Sequence, residues 1–304
     1  MIKSITVTNQ LGESMKIELA FPEKSGFAVQ KIEGLGPPKA DVNTAEFASM
    51  DGATFNSSRV SKRNVVLQLK FLHSPTIEDV RQKSYKYFPI KKKVSLLIET
   101  DNRLCQTSGY VESNDPAIFD ASTGTQISII CPDPYLYSAG EDGTNVAVFF
   151  ANNPVFEFEF SNESLTEDLI EFGEILVEQN QTILYEGDAD VGIVIVMHAL
   201  GAVNNVSIFN TITHESMTFD TDKLTTLTGK GLDAGDTVTI STIRGNKYVT
   251  LLREGNYINV LNCLDKNADW FQLTKGDNIF AYEAESGFNN LEFRIENVKV
   301  YEGV

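Results

Sequence analysis

Short runs of alternating residues, each closed off by Gly, Asn or Asp, restrict most the folds open to this chain. The run "VFEFEF" alternates strictly from Val155, and "FGEILVEQ", "VGIVIVMH", "NNVSIFN", "ESMTFD", "DTVTIST", "KYVTLL", "DWFQL", "NIFAYEAE" and "LEFRIENVKVY" follow it. Period-2 alternation marks a strand with one buried face. Many such strands between turn residues predict a sandwich or barrel. The stretch "TISTIRGNKYVTLL" reads as a hairpin, with Gly245 and Asn246 supplying the positive φ of a tight primed turn.

The first half is also mainly strand. Residues 5–8 and 15–20 flank the turn signal "NQLGES", and "NVVLQLKF" sends Val65, Leu67, Leu69 and Phe71 one way and Gln68 and Lys70 the other. One helix is signalled: Ser74 as cap, Pro75 at the first helical position, Glu78 and Asp79 in the first turn, Ile77, Val80, Ser84 and Tyr87 at helical spacing, and Pro89 as the stop. Strands resume at 94–100, around "TSGYVES" and at 126–131, before the two prolines of "CPDPYLY" break the pattern. Two domains are therefore expected, residues 1–136 and 137–304.

Charge changes at the same place. Residues 1–136 hold 16 Lys and Arg against 15 Asp and Glu, whereas the remainder holds 9 against 27. So acidic a second half argues against general nucleic-acid binding, which needs cations to displace the counterions of the phosphates. No run reaches the ~18 apolar residues of a membrane span, and the first twenty residues lack a signal peptide's apolar core, so the expectation is a chain made in the cytoplasm and no membrane partner. Cys105, Cys131 and Cys263 are widely spaced and suit reduced thiols.

Catalytic and metal motifs are sought without success. His73, His198 and His214 lie far apart, with no partner at metal-ligand spacing, and neither CxxC, HExxH nor GxSxG occurs. "LTGKGL" lacks the first glycine and the hydroxyl of a phosphate loop and reads as a turn. "GDADVG" has Asp188 and Asp190 at a calcium-loop spacing but no distal Glu. Glu157 and Glu159 share a strand face, as an exposed sheet would have them, and Lys91, Lys92 and Lys93 read as a solvated cluster. The expectation is no enzyme, no cofactor and no metal.

One region stands apart. The stretch 34–63 reads as a long loop containing Gly34, Gly36, Pro37, Pro38, Asp51, Asn56, Ser57, Ser58, Arg59 and Arg63. Glycine allows tight turns while proline lowers the entropy lost on ordering, which suits a loop that docks in one shape. Short polar side chains and two forked guanidinium groups suit carboxylates, either on a neighbouring subunit or within the same chain.

The ordered series "GLGPPKA" (34–40), "DGATFNSSR" (51–59), "RNVVLQLKF" (63–71), one helix, "VSLLIETDNR" (94–103), "SGYVES" (108–113) and "ISIICPDPYLYS" (127–138) resembles the distal tail proteins of tailed phages. "GDTVTISTIRGNKYVTLL", "DWFQLTKGDNIFAYEAE" and "VKVYEGV" look like that family's second domain. The resemblance implies a mainly β chain with an N-terminal belt domain carrying one helix and a C-terminal galectin-like β-sandwich. It implies a homo-hexameric ring at the hub of a baseplate, between the tail tube protein and the tail-associated lysin or receptor-binding proteins, with DNA passing through unread. The location implied is the virion tail tip, assembled in the host cytoplasm. Gly34, Gly36, Pro37, Pro38, Asp51, Asn56, Ser57, Arg59 and Arg63 are then expected at the subunit interface. The galectin-like label raises a second reading, a sugar-binding module, for which the single Trp270 would have to stack on the ligand; the polar partners of sugar-binding galectins are missing around it.

Overall fold

The computed structural model describes residues 1–48, 51–73, 75–118, 123–140, 144–148, 150–153, 174–177 and 180–304. The alternating run from Val155, with Glu157 and Glu159, lies outside the described residues, as does Ser74. The chain is mainly β and divides into two units, Met1–Gly143 together with Val300–Val304, and Thr144–Lys299.

The first unit holds β1 (Ile2–Thr8), β2 (Ser14–Glu18), β3 (Phe27–Glu33), β4 (Ala40–Glu46), β5 (Ala53–Val60), β6 (Arg63–Phe71), β7 (Lys93–Thr100), β8 (Leu104–Pro116), β9 (Gly124–Cys131) and β10 (Leu136–Ser138), with a short α1 (Pro22–Ser25) and the longer α2 (Ile77–Tyr87). Its main sheet runs β2-β1-β7-β8-β9-β6-β3, with every neighbour antiparallel. The period-2 pattern is the cause: Val65, Leu67, Leu69 and Phe71 of β6 are buried, as are Val94, Leu96 and Ile98 of β7 and Ile127 and Ile129 of β9, and all nine join one core. Phe27 meets Phe71 edge to face at 6.0 Å.

Helix α2 turns Val80 and Ser84 inward. Its cap is Thr76, whose Oγ1 accepts the amide of Asp79 at 3.1 Å, two residues later than the expected Ser74. Thr76 is itself extended, at φ −126° and ψ 159°, so the helix begins after it and Pro75 lies outside the first turn. Strand β10 pairs with β8 on one side and with the returning segment Val300–Tyr301 on the other, so the border of the first unit lies beyond residue 136.

The second unit contains β11 (Thr144–Val148), β12 (Phe150–Asn153), β13 (Glu174–Val177), β14 (Asn180–Tyr185), β15 (Val191–Gly192), β16 (Val194–Ala199), β17 (Asn204–Asn210), β18 (Glu215–Phe219), β19 (Thr237–Ser241), β20 (Tyr248–Arg253), β21 (Asn256–Asn259), β22 (Gln272–Leu273), β23 (Gly276–Ser286) and β24 (Leu291–Val298). A six-stranded sheet, β11-β24-β16-β19-β20-β21, and a four-stranded sheet, β14-β23-β17-β18, feed one core. Ile195, Met197, Val238, Ile240, Phe293 and Ile295 enter it from the first sheet, Val206, Ile208, Phe219 and Phe280 from the second, as a two-layer β packing requires.

Two local expectations are corrected. The β19–β20 hairpin exists, but Ser241 pairs with Tyr248 across a six-residue connection, 242–247, in place of a two-residue primed turn. Gly245 alone supplies a positive φ, while Asn246 donates its amide to Ile243 at 2.9 Å. "LTGKGL" begins inside a helix that the alternation conceals, α3 (Thr221–Thr228). Asp220 caps it by accepting the amide of Lys223, and Gly229, at φ +80°, ends it in the left-handed conformation.

Candidate subunit-contact site

The stretch 34–63, expected to be a loop, is a β-hairpin on a fixed root. Strands β4 and β5 pair with each other from Ala40↔Val60 to Glu46↔Ala53 and form a two-stranded sheet of their own, separate from the main sheet. Almost every residue of both strands is exposed. A lone two-stranded hairpin is marginal in water, so this one depends on its root.

The register sorts the side chains onto two faces. One face carries the pairs Asp41/Arg59, Asn43/Ser57 and Ala45/Thr54; the other carries Ala40/Val60, Val42/Ser58 and Thr44/Phe55. The register shifts between Asn43 and Thr44, leaving Asn56 as the extra residue of a bulge, which twists the ribbon. Val42 is 58% exposed, Phe55 61% and Phe47, just past β4, 54%. The hairpin is therefore amphipathic with its apolar face open. Sequence reasoning named the polar members and missed Val42, Phe47 and Phe55; the bulge at Asn56 puts Phe55 and Ser57, two apart in the sequence, on opposite faces and so hides the pattern.

The two arginines differ sharply. Arg59 is exposed and pairs across the strands with Asp41, Nε to Oδ2 at 3.5 Å, while Ser61 donates its hydroxyl to the same carboxylate at 2.6 Å. The Ser61 hydrogen bond, helped by Arg59, holds the Asp41 carboxyl below its usual pKa. Arg63 is 3% exposed and turned into the chain. Its Nε donates to the Pro134 carbonyl at 2.6 Å, Nη1 to Gly34 and Gly36 at 2.5 and 2.8 Å, and Nη2 to Glu302 at 2.6 Å. Burial lowers the guanidinium pKa, with Cys131 and Asp133 opposing the shift, and the group stays charged. The expectation that Arg63 reaches a neighbouring subunit is corrected: its donors are committed to main-chain oxygens of its own unit.

The remaining expected residues fall around this root and tip. Gly34 has φ +83°, and a Cβ there would meet the Asn64 carbonyl oxygen at 1.9 Å, so only glycine fits beside β6. Gly36 contributes its carbonyl to Arg63, and Pro37 and Pro38 lead into β4. Asp51 sits exposed in the bend before β5.

No protein-family profile and no curated protein matches the sequence. Among solved structures, the chain matches the crystal structure of the phage SPP1 Dit protein, described as a paradigm of the hub adsorption apparatus in phages that infect Gram-positive bacteria. The match covers 97% of this chain and 98% of that one at 11% identity, with a TM-score of 0.64. The fold is that of a phage Dit hub protein. A chain of the phage P2 baseplate in its activated conformation with Ca also aligns, over 98% of each chain at 10% identity and a TM-score of 0.45.

Within this Dit fold the other chemistry-bearing residues are quiet. Trp270 packs against the second unit's core, and the exposed Lys247 lies over its ring at 4.7 Å. His198 shares a hydrogen bond between Nδ1 and Thr237 at 2.9 Å. Asp188 lies 3.7 Å from the Lys275 ammonium. Among the described residues no group of three or more His, Cys, Asp or Glu is placed to hold a metal ion, and no helix is long and apolar enough to cross a membrane.

Proposed function

We propose that this chain is a structural component of a phage tail, a distal tail protein whose copies close into a six-membered ring at the hub of the baseplate. One observation carries the reading: the β4–β5 hairpin presents an open apolar face, rimmed by hydrogen-bonding side chains, from a root that Arg63 holds stiff. An apolar centre with a polar rim is the anatomy of a protein interface, and an element meeting a different surface on the next copy generates a ring when the rotation closes. Val42 and Phe55, on one face, supply the buried centre, edged by Thr44 and Ser58 of the same face; Phe47 lies just past β4, and Asn56 at the bulge, Ser57 and Arg59 on the opposite face and Asp51 at the tip supply further polar contacts.

In this reading the first unit is the ring-forming belt, continuing the tail tube on one side and meeting the tail-associated lysin or receptor-binding proteins on the other. The second unit is a galectin-like sandwich used as a docking scaffold, and DNA passes the central channel without sequence-specific contact. Its acidity keeps neighbouring copies apart by mutual repulsion. The role is non-enzymatic.

Native mass spectrometry with negative-stain microscopy tests the proposal. The purified chain should give six-fold rings with a central hole, and Val42→Asp with Phe55→Asp should give folded monomers under the same conditions. A wild-type chain that stays monomeric at every concentration overturns the reading.

A further inference from the structure

We infer that residues 300–304 are a latch on the root of the β4–β5 hairpin, so that the hairpin takes its docking pose only after the second unit has been synthesised. The role as a latch stands on geometry alone, and its consequence for docking rests on the reading of the hairpin given above. Every contact involved belongs to the first unit, yet half of each is supplied by residues that follow the whole of the second unit in the sequence.

The contacts converge on one place. Val300 and Tyr301 pair with Tyr137 and Leu136 of β10, Val300 being buried. Glu302 gives its carbonyl to Arg63, Gly303 gives its carbonyl to Arg103 at 2.9 Å, and the Arg103 guanidinium lies 4.2 Å from the centre of the Tyr301 ring. The amide of residue 304 donates to the Leu35 carbonyl at 3.1 Å. Gly303 lies so close to the loop that a Cβ would be 3.2 Å from the Leu35 oxygen.

Both ends of the hairpin leave from this knot. The entering strand follows Gly34 and Gly36, whose carbonyls Arg63 holds; the leaving strand runs into Arg63 itself, and the Ser61 amide donates to the Lys39 carbonyl at 3.2 Å to join the two. A guanidinium that draws acceptors from three distant segments is fully satisfied only when all three are present. Before residues 300–304 arrive, Arg63 lacks the Glu302 carbonyl, Leu35 lacks its amide partner and β10 lacks one neighbour. A hairpin without its own place in the main sheet then has a loose root, and a loosely aimed element binds more weakly because its ordering must be supplied on docking.

Hydrogen exchange of the chain at a concentration where it is monomeric, read amide by amide, tests this. Two variants are compared with the wild type: a chain stopped after Lys299, and the full-length Arg63→Lys, which keeps the charge and loses the fork. Both should speed exchange at Ser61 by about tenfold while β16 and β24 keep their protection. Arg59→Ser should leave Ser61 unchanged. In assembly assays the same two variants should need about tenfold more protein to form rings. Unchanged protection at Ser61 in Arg63→Lys, or in the shortened chain with β6 still protected, overturns the latch. Should Ser61 respond as expected while no chain, wild type included, forms rings, the latch stands and the docking reading of the hairpin falls.

Discussion

Strands β5 and β6 are separated by two residues and share one geometry, yet they live in opposite surroundings. Along β6 every second side chain is buried, and β3 and β9 pair with it on both edges. Along β5 hardly anything is buried, and β4 is its partner. The residues account for the contrast. β6 offers Val, Leu, Leu and Phe on one face, enough apolar surface to drive burial inside a single chain. β5 offers one large apolar residue, Phe55, among mostly polar ones, so its face is too thin to make a core, and in the proposed ring it makes a contact instead. If the proposed ring holds, one strand is specified for burial at folding and its neighbour for burial at assembly.

That contrast can be broken at three points. Leu67→Ala, in the centre of β6, should cost about 2–5 kcal/mol of unfolding free energy, because a fully enclosed side chain leaves a cavity; a denaturant titration of the full chain that shows no loss would contradict the assigned core. Arg63→Met should cost about 3 kcal/mol, since four carbonyl oxygens lose a charged donor and some are left without a partner in the interior; the midpoint of the first unit's thermal transition reads it. Phe55→Ala is the same kind of truncation moved to β5 and should change the monomer's stability by less than about 0.5 kcal/mol, while weakening self-association in sedimentation velocity. A large loss of monomer stability from Phe55→Ala would mean that β5 is buried within its own chain after all.

Much of the strand pattern could be read directly from alternation, because β6, β7 and β9 each bury one face and each is a near-continuous hydrophobic series on it. Helix α2 was legible from its first-turn acids and its proline stop, and its cap was misplaced by two residues because Ser74 and Thr76 flank Pro75 and both can cap. The β4–β5 hairpin was concealed as a loop for two physical reasons. Glycines and prolines crowd its entry, and the bulge at Asn56 breaks the alternation in mid-strand, so Phe55 and Ser57 fall out of step. Helix α3 was hidden by its threonines, which favour strands, although Asp220 and Gly229 mark its two ends in the sequence. The part of Arg63 was illegible in principle. Its partners at Gly34, Gly36, Pro134 and Glu302 are carbonyl oxygens that every residue type carries, and distance along the chain hides which of them will meet.

That last feature has an outcome for how such a chain tolerates change. A guanidinium gripping main-chain oxygen reads the path of the backbone and is blind to the side chains hung on it, so positions 134 and 302 can be rewritten freely as long as the trace holds. The joint asks for the arginine, for glycine at 34 and for an unbroken trace, and little else of its neighbours' identity, which is one way for an architecture to outlast most of the letters that once spelled it.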